Sequence, residues 1–200
     1  MSYAARHLRE TIEIITRLDQ GSIEQLITLL VATRDAGGRV FFVGVGGSAA
    51  NCSHAAADFR RLGGFEAYAA TDNVSELTAS INDNGWAQSL ASFLESSRLR
   101  AGDLVCAFSV GGGDIEHNVS PNIVAALQFA KSVGAKIAAI VGRDGGYAAT
   151  VANVCVIVPT VNPANVTPHA EALQSVIWHL VVSDPRVRKT TPKWESLSDS

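Results

Sequence analysis

The sequence predicts an α/β fold, doubly wound and flavodoxin-like, with helices on both faces of a parallel sheet and a helical pair at the N-terminus. Three observations carry this. Short apolar runs bounded by turn residues recur along the chain, and helix-period stretches lie between most of them. Strand and helix in alternation imply right-handed crossovers, hence a parallel sheet covered on both faces. With 200 residues, 47% of them hydrophobic, the chain suffices for one domain with a substantial core and not for two.

From Leu8 through Ile12, Ile15 and Leu18, apolar residues return at helical spacing, and the stretch stops near Gly21. Ser22 followed by Gln25 is a capping-box pattern for a second helix carrying Leu26, Ile27, Leu29 and Leu30, which ends at Gly37 and Gly38. The period then changes. Residues 40–43 form an apolar run between glycines, as a strand buried on both faces should. Runs 104–108, 137–141 and 154–158 share that character, and 65–70 is a weaker fifth. A last helix is expected over about 167–182, after the breaks at Pro163 and Pro168. The domain is thus expected over 1–184, helices 1–37 included. The polar stretch 185–200, with Pro185 and Pro192, is expected as a surface tail or an arm on a neighbouring subunit.

Composition narrows the function classes. Sixteen basic against 19 acidic residues, net charge −3, make no patch that would collect nucleic-acid phosphates. No apolar run approaches the roughly 20 residues that span a bilayer, and no basic-then-apolar leader opens the chain, so a cytoplasmic protein is expected. Cys52, Cys106 and Cys155 are odd in number, far apart and set among apolar residues, which predicts buried reduced thiols.

The turn from Val43 to Ser48 runs from a strand through Gly44, Gly46 and Gly47 into a helix. Such a turn lets backbone amides meet an anion at the helix's positive end, with Ser48 as cap, or is merely tight. It lacks the Lys of a P-loop and the spacing of a dinucleotide fingerprint. A second turn, Ser109 to Asp114 with Gly111, Gly112 and Gly113, also follows a buried strand and is either a ligand loop or a flexible one. Both lie beyond carboxyl ends of strands, where doubly wound sheets bind ligands.

His54 and Asp58, four apart, share a helix face and can reach one ligand, metal or proton; Arg61 shares it too and offers Asp58 a plain ion pair instead. Glu171 and His179 interrupt an apolar stretch near the C-terminus. Eight residues of helix separate them by about 12 Å. They meet at one metal only if Glu171 sits at the helix entrance or serves another subunit; otherwise Glu171 is solvated. Asn82, Asp83, Asn84 and Gly85 form a polar turn before Trp86, a binding cluster or an N-cap cluster.

The order of these features, ending in a G-x-DGG run at Gly142 to Gly146 and a His-bearing helix, resembles the SIS-domain phosphoheptose isomerases over almost the whole chain. That family interconverts sedoheptulose 7-phosphate and glycero-manno-heptose 7-phosphate, as homotetramers with sites shared between subunits, often with zinc. The resemblance implies a phosphosugar substrate and self-association into a homotetramer or homodimer. It assigns substrate contacts to Gly46, Gly47, Asn82 and Asp83, and the candidate substrate set is completed by Ser48, Ser109, Gly111 and Gly112 of the two turns and by Ser120 after them. Zinc, or another divalent metal, falls to His54, Asp58, Glu171 and His179, and catalysis to Asp58, His179 and Glu171.

There are departures from the family pattern. Val45, Asp58 and Glu171 stand where the family has Asn, Glu and Gln, and its Ser-Thr-Ser-Gly-Asn-Ser phosphate loop is here Ser-Val-Gly-Gly-Gly-Asp. The longer segment 116–122 offers Asn118 or Ser120 as replacement phosphate donors. Asp58 is expected to take the carbon-bound proton, with Glu171 as the other candidate, and His179 to serve the oxygens. Two other readings remain: a non-catalytic module that binds a sugar phosphate or a protein partner, and an isomerase of a different sugar. Four ionisable groups at family positions weigh against the module.

Overall fold

The computed structural model describes residues 1–197. Its strands β1 (Val40–Gly44), β2 (Ala67–Ala69), β3 (Leu104–Ser109), β4 (Lys136–Val141) and β5 (Val154–Ile157) pair in parallel in the order β2-β1-β3-β4-β5. Each falls on an expected run. The 65–70 run yields a strand of only three residues at the sheet edge, with Tyr68 exposed between buried alanines, which explains its weaker pattern. Alternation along β1 divides the core into two layers. Val40 and Phe42 pack with Leu26, Leu30, Phe59 and Trp178, whereas Phe41 and Val43 pack with Leu94, Leu127 and Ile137.

Helices α1 (Tyr3–Arg17), α2 (Gln20–Asp35), α3 (Gly47–Gly63) and α8 (Val166–Ser183) lie on the first layer's side. On the other lie α5 (Ser89–Ser96), α6 (Pro121–Ser132) and α7 (Gly146–Val151), with α4 (Val74–Asn84) against α5. The second helix starts earlier than the Ser22 capping box suggests. Asp19 caps it through bonds to the amides of Gly21 and Ser22, so Gly21 lies inside the first turn rather than ending α1. Burial on α1 is confined to Ile14; Leu8, Ile12 and Ile15 form an exposed apolar stripe. Among the described residues nothing covers that stripe.

The expected boundary at 184 needs correction. Arg34 donates to the carbonyls of Arg186 and Val187, the amide of Lys189 donates to Leu62, and Val187 is fully buried. Residues 185–190 therefore belong to the packed domain, held by groups the local composition does not reveal. A short helix α9 (Lys193–Ser196) follows, and 198–200 lie outside the described residues. No described helix is long and apolar enough to cross a membrane. Cys52 and Cys106 are buried and Cys155 half-buried, all three free thiols; burial pushes Cys106 up to about 12.

Candidate active site

β1 and β3 pair with Gly44 opposite Phe108, so the turns that follow them stand side by side, where β1's two neighbours lead the chain in opposite directions. That is the switch point of a doubly wound sheet. Gly46, with φ 63°, takes the N-cap position of α3, a conformation that favours glycine. Ser48, expected as the cap, lies inside the first turn instead. Its side chain is 1% exposed and its Oγ has no hydrogen-bond partner. A hydroxyl stripped of water and unpaired is costly unless a ligand meets it.

The three-glycine turn after β3 is not a flexible loop. The amides of Tyr147 and Ala148 donate to the carbonyls of Gly113 and Gly112 at 2.8 and 3.0 Å, docking the turn on the start of α7. A Cβ on Gly112 would run into the Gly145 carbonyl, and one on Gly146 into that of Gly111. Close backbone approach, rather than mobility, requires these glycines. Ser109 Oγ accepts from the Gly112 amide at 3.1 Å. Asp114 and Val119 then pair as a small antiparallel bridge, and hydrogen bonds from the His117 amide and ring hold the Asp114 carboxyl below its usual range.

Between these turns opens a cavity of about 480 Å³ whose wall includes Val45, Ser48, Ser109, Gly111, Ser120 and Arg143. Four of the nine expected substrate residues thus line it. Gly46, Gly47 and Gly112 shape the turns without lining it, and Asn118 also stays outside. Asn82 and Asp83 are elsewhere: they end α4, exposed and bonded to each other at 2.8 Å, and Gly85 caps that helix. The polar run thus closes a helix instead of opening one. Arg143 was not singled out in the sequence; its one signal is its place within the G-x-DGG run.

A second gathering lies on the flank of α3 and α8. His54 Nε2 is 3.7 Å from Asp58 Oδ2, and the His179 ring is edge-on to His54 with centroids 5.2 Å apart. His54, Asp58 and His179 each offer one ligand atom, and these lie within 4.8 Å of one another. The Ser175 carbonyl accepts from His179 Nδ1 at 2.8 Å, which leaves Nε2 as the lone-pair nitrogen. Two imidazoles and a carboxylate with free ligand atoms fit a divalent metal such as zinc. Asp58 forms no ion pair with Arg61 among the described residues. The patch is open: His54 is 58% exposed, and Val176 and Leu180 beside His179 are exposed apolar residues.

Glu171 does not join this cluster within one chain. Its carboxylate stands over Gly47, where a Cβ would collide with it, and its carbonyl accepts from Asn51 at 2.9 Å. It lies at the positive end of α3, favourable for an anion. From Ser48 to His54 along α3 is about 9 Å. Cavity and cluster are therefore separate places on one chain.

The structure also holds a triplet that sequence spacing hides. Glu10 on α1 accepts from Asn162, Asn165 and His169 at 2.7, 2.8 and 2.9 Å, and His7 stacks on His169 with ring centroids 4.3 Å apart. Bonds from His169 first, then Asn165 and Asn162, lower the Glu10 carboxyl to about 2.

Comparison with known proteins agrees with this architecture. The SIS domain family model matches residues 3–142. A phosphoheptose isomerase of Chlorobaculum parvum is 35% identical over 191 residues, 92% of this chain and 86% of that protein. One from Akkermansia muciniphila is 34% identical over 80% of this chain and 82% of its own length. The solved phosphoheptose isomerase of Neisseria gonorrhoeae superposes with a TM-score of 0.77 at 27% identity, covering 89% of this chain and 94% of that one.

Proposed function

We infer that this chain, which belongs to the SIS domain family, is an aldose–ketose isomerase interconverting sedoheptulose 7-phosphate and glycero-manno-heptose 7-phosphate. One observation carries the chemistry. His54, Asp58 and His179 come together from two helices, with unspent ligand atoms, in a chain 35% identical to a phosphoheptose isomerase.

Isomerisation removes a proton from C1 of the ketose, passes through an enediol and returns a proton to C2, while the oxygens exchange theirs. We assign the carbon proton to Asp58, whose carboxylate is held only loosely by His54. His179, fixed through Nδ1 by Ser175, has Nε2 as its one free nitrogen, which relays protons between O1 and O2 when no metal occupies it and is the ligand atom when one does. Asp58 is one methylene shorter than glutamate, and a misplacement of about 1 Å can cost on the order of a hundredfold, so Glu171 is the competing base. His54, Asp58 and His179 would hold the divalent metal, zinc as the first choice, with Glu171 as a further ligand supplied by another subunit. When bound, it polarises the substrate carbonyl.

The active unit is an oligomer of identical subunits, a tetramer or a dimer. What supports this is the exposed stripe of Leu8, Ile12 and Ile15 and the exposed Val176 and Leu180 beside His179, apolar surfaces that the described residues of one chain leave uncovered. A second subunit would close the cluster and bring it to a phosphosugar gripped in the cavity.

The test is turnover of sedoheptulose 7-phosphate followed by NMR, with and without zinc and after chelation. Aldose formation that chelator abolishes establishes isomerase and metal together; binding without turnover overturns the catalytic reading. Mixed oligomers of His179→Ala and Ser48→Leu chains, each inactive alone, regain turnover if cluster and cavity come from different subunits, and stay silent otherwise.

A further inference from the structure

We propose that Arg143 is the phosphate anchor of this site, substituting one guanidinium for the hydroxyls that the glycine-rich turn after β3 lacks. The inference rests on the phosphosugar reading above and names the group that grips the phosphate.

Of the polar side chains that line the cavity, three are serine hydroxyls from three different places in the fold, Ser48 at the start of α3, Ser109 at the end of β3 and Ser120 before α6, and Tyr147 on α7 adds a phenol. Ser48 is the one that asks for a ligand, since its Oγ is sealed from water and unpaired. It sits in the first turn of a 17-residue helix, whose free amides favour an anion. Neutral donors alone leave a phosphate dianion without a counter-charge. Among the described residues, Arg143 is the one cationic side chain lining the cavity.

The remaining charged groups of the lining are carboxylates, and two of the three are committed within their own turns. Asp114 is bonded by His117, and Asp144 accepts from the Gly146 amide at 3.1 Å. Arg143 forms no ion pair or side-chain hydrogen bond among the described residues, so its five donors remain available. Its placement is also constrained. The residue holds a left-handed backbone with φ 54°, unusual for a side chain of this size, between Gly142, packed under the Val110 carbonyl, and Gly145. In that conformation its Cδ lies close enough to Gly111 that an added Cβ would touch it at 3.4 Å, so the aliphatic stem lies over the glycine turn. A guanidinium carried there offers a planar, two-pronged match to phosphate oxygens that no serine supplies.

The experiment titrates inorganic phosphate into the full chain by calorimetry, for the wild type, Arg143→Gln, Arg143→Lys and Arg143→Gly, and measures turnover of sedoheptulose 7-phosphate for each. Arg143→Gly relieves the left-handed backbone while deleting the charge, so a loss shared with Arg143→Gln is not a folding defect. Phosphate affinity should fall about tenfold or more in both, with Arg143→Lys between them and the wild type, since a point charge replaces the fork. KM should rise by a similar factor with kcat within about threefold, the pattern of lost uniform binding. Wild-type phosphate affinity in both neutral variants, or no phosphate binding by the wild type, overturns the proposal. Arg143-dependent phosphate binding without turnover leaves this anchor standing and removes the isomerase reading; turnover indifferent to Arg143 does the reverse.

Discussion

Two histidine–carboxylate–histidine triplets stand among the described residues, and they differ in what their carboxylate already holds. Glu10, between His7 and His169, accepts three side-chain hydrogen bonds and is largely buried. Asp58, between His54 and His179, has among the described residues no closer side-chain partner than His54 at 3.7 Å, and the histidines around it are exposed. The same residue types thus serve two ends. A saturated carboxylate ties α1 to the start of α8, and an unsaturated one keeps its oxygens available. Residue identity nominates both; only the count of satisfied groups tells them apart.

The sharpest way to break this comparison is to disable each triplet and measure turnover. Asp58→Asn and His179→Ala should each lower kcat/KM by on the order of 10² to 10⁴, the range of a lost acid–base group, with melting temperature unchanged. If Glu171→Gln is silent, the base is Asp58; the reverse pattern moves the base to Glu171. Next comes metal. Zinc retained after dialysis, measured by mass spectrometry, should disappear in His54→Ala and His179→Ala and persist in His169→Ala. Retention lost in His169→Ala alone would exchange the roles of the two triplets.

His169→Ala should instead destabilise the fold by about 2 kcal/mol, because removing a buried imidazole leaves a cavity beside α1 and takes a hydrogen-bond partner from Glu10; urea unfolding reads this directly. The smallest effect is a pH dependence. Glu10 is depressed in the folded chain from 4.5 to about 2, so its contribution to stability is fully present above pH 4.5 and is lost as pH falls toward 2. The difference in stability between wild type and Glu10→Gln should shrink across that window in acid unfolding followed by circular dichroism. A constant difference would show that the carboxylate's charge plays no part in the clasp.

Much of the site was legible because it rests on local pattern. His54 and Asp58 share a face by helical spacing, and both glycine turns follow short apolar runs bounded by turn residues, which form buried strands. The three-residue β2 marks the limit of that legibility, since an edge strand with one exposed position gives a faint signal. Asn82 and Asp83 show a different limit. Their composition fits a turn, yet they finish α4, because Asn73 caps that helix earlier and Gly85 ends it. Arg143 was missed for a third reason. A lone arginine in a glycine-rich turn has no pattern of its own, and its cavity exists only once two turns from distant segments are docked.

By itself the sequence determined the fold class, the five strand positions and the helix face that carries His54 and Asp58, since each depends on a continuous apolar run or a period of about 3.6 residues within a short window. Tertiary structure alone decided which acid is saturated, that Glu171 stands over Gly47 rather than beside His179, and that 185–190 fold onto the domain. The reason is distance along the chain. Glu10 and His169 are 159 positions apart, Gly47 and Glu171 more than a hundred, and no local rule constrains which side chains such separations bring within hydrogen-bonding reach.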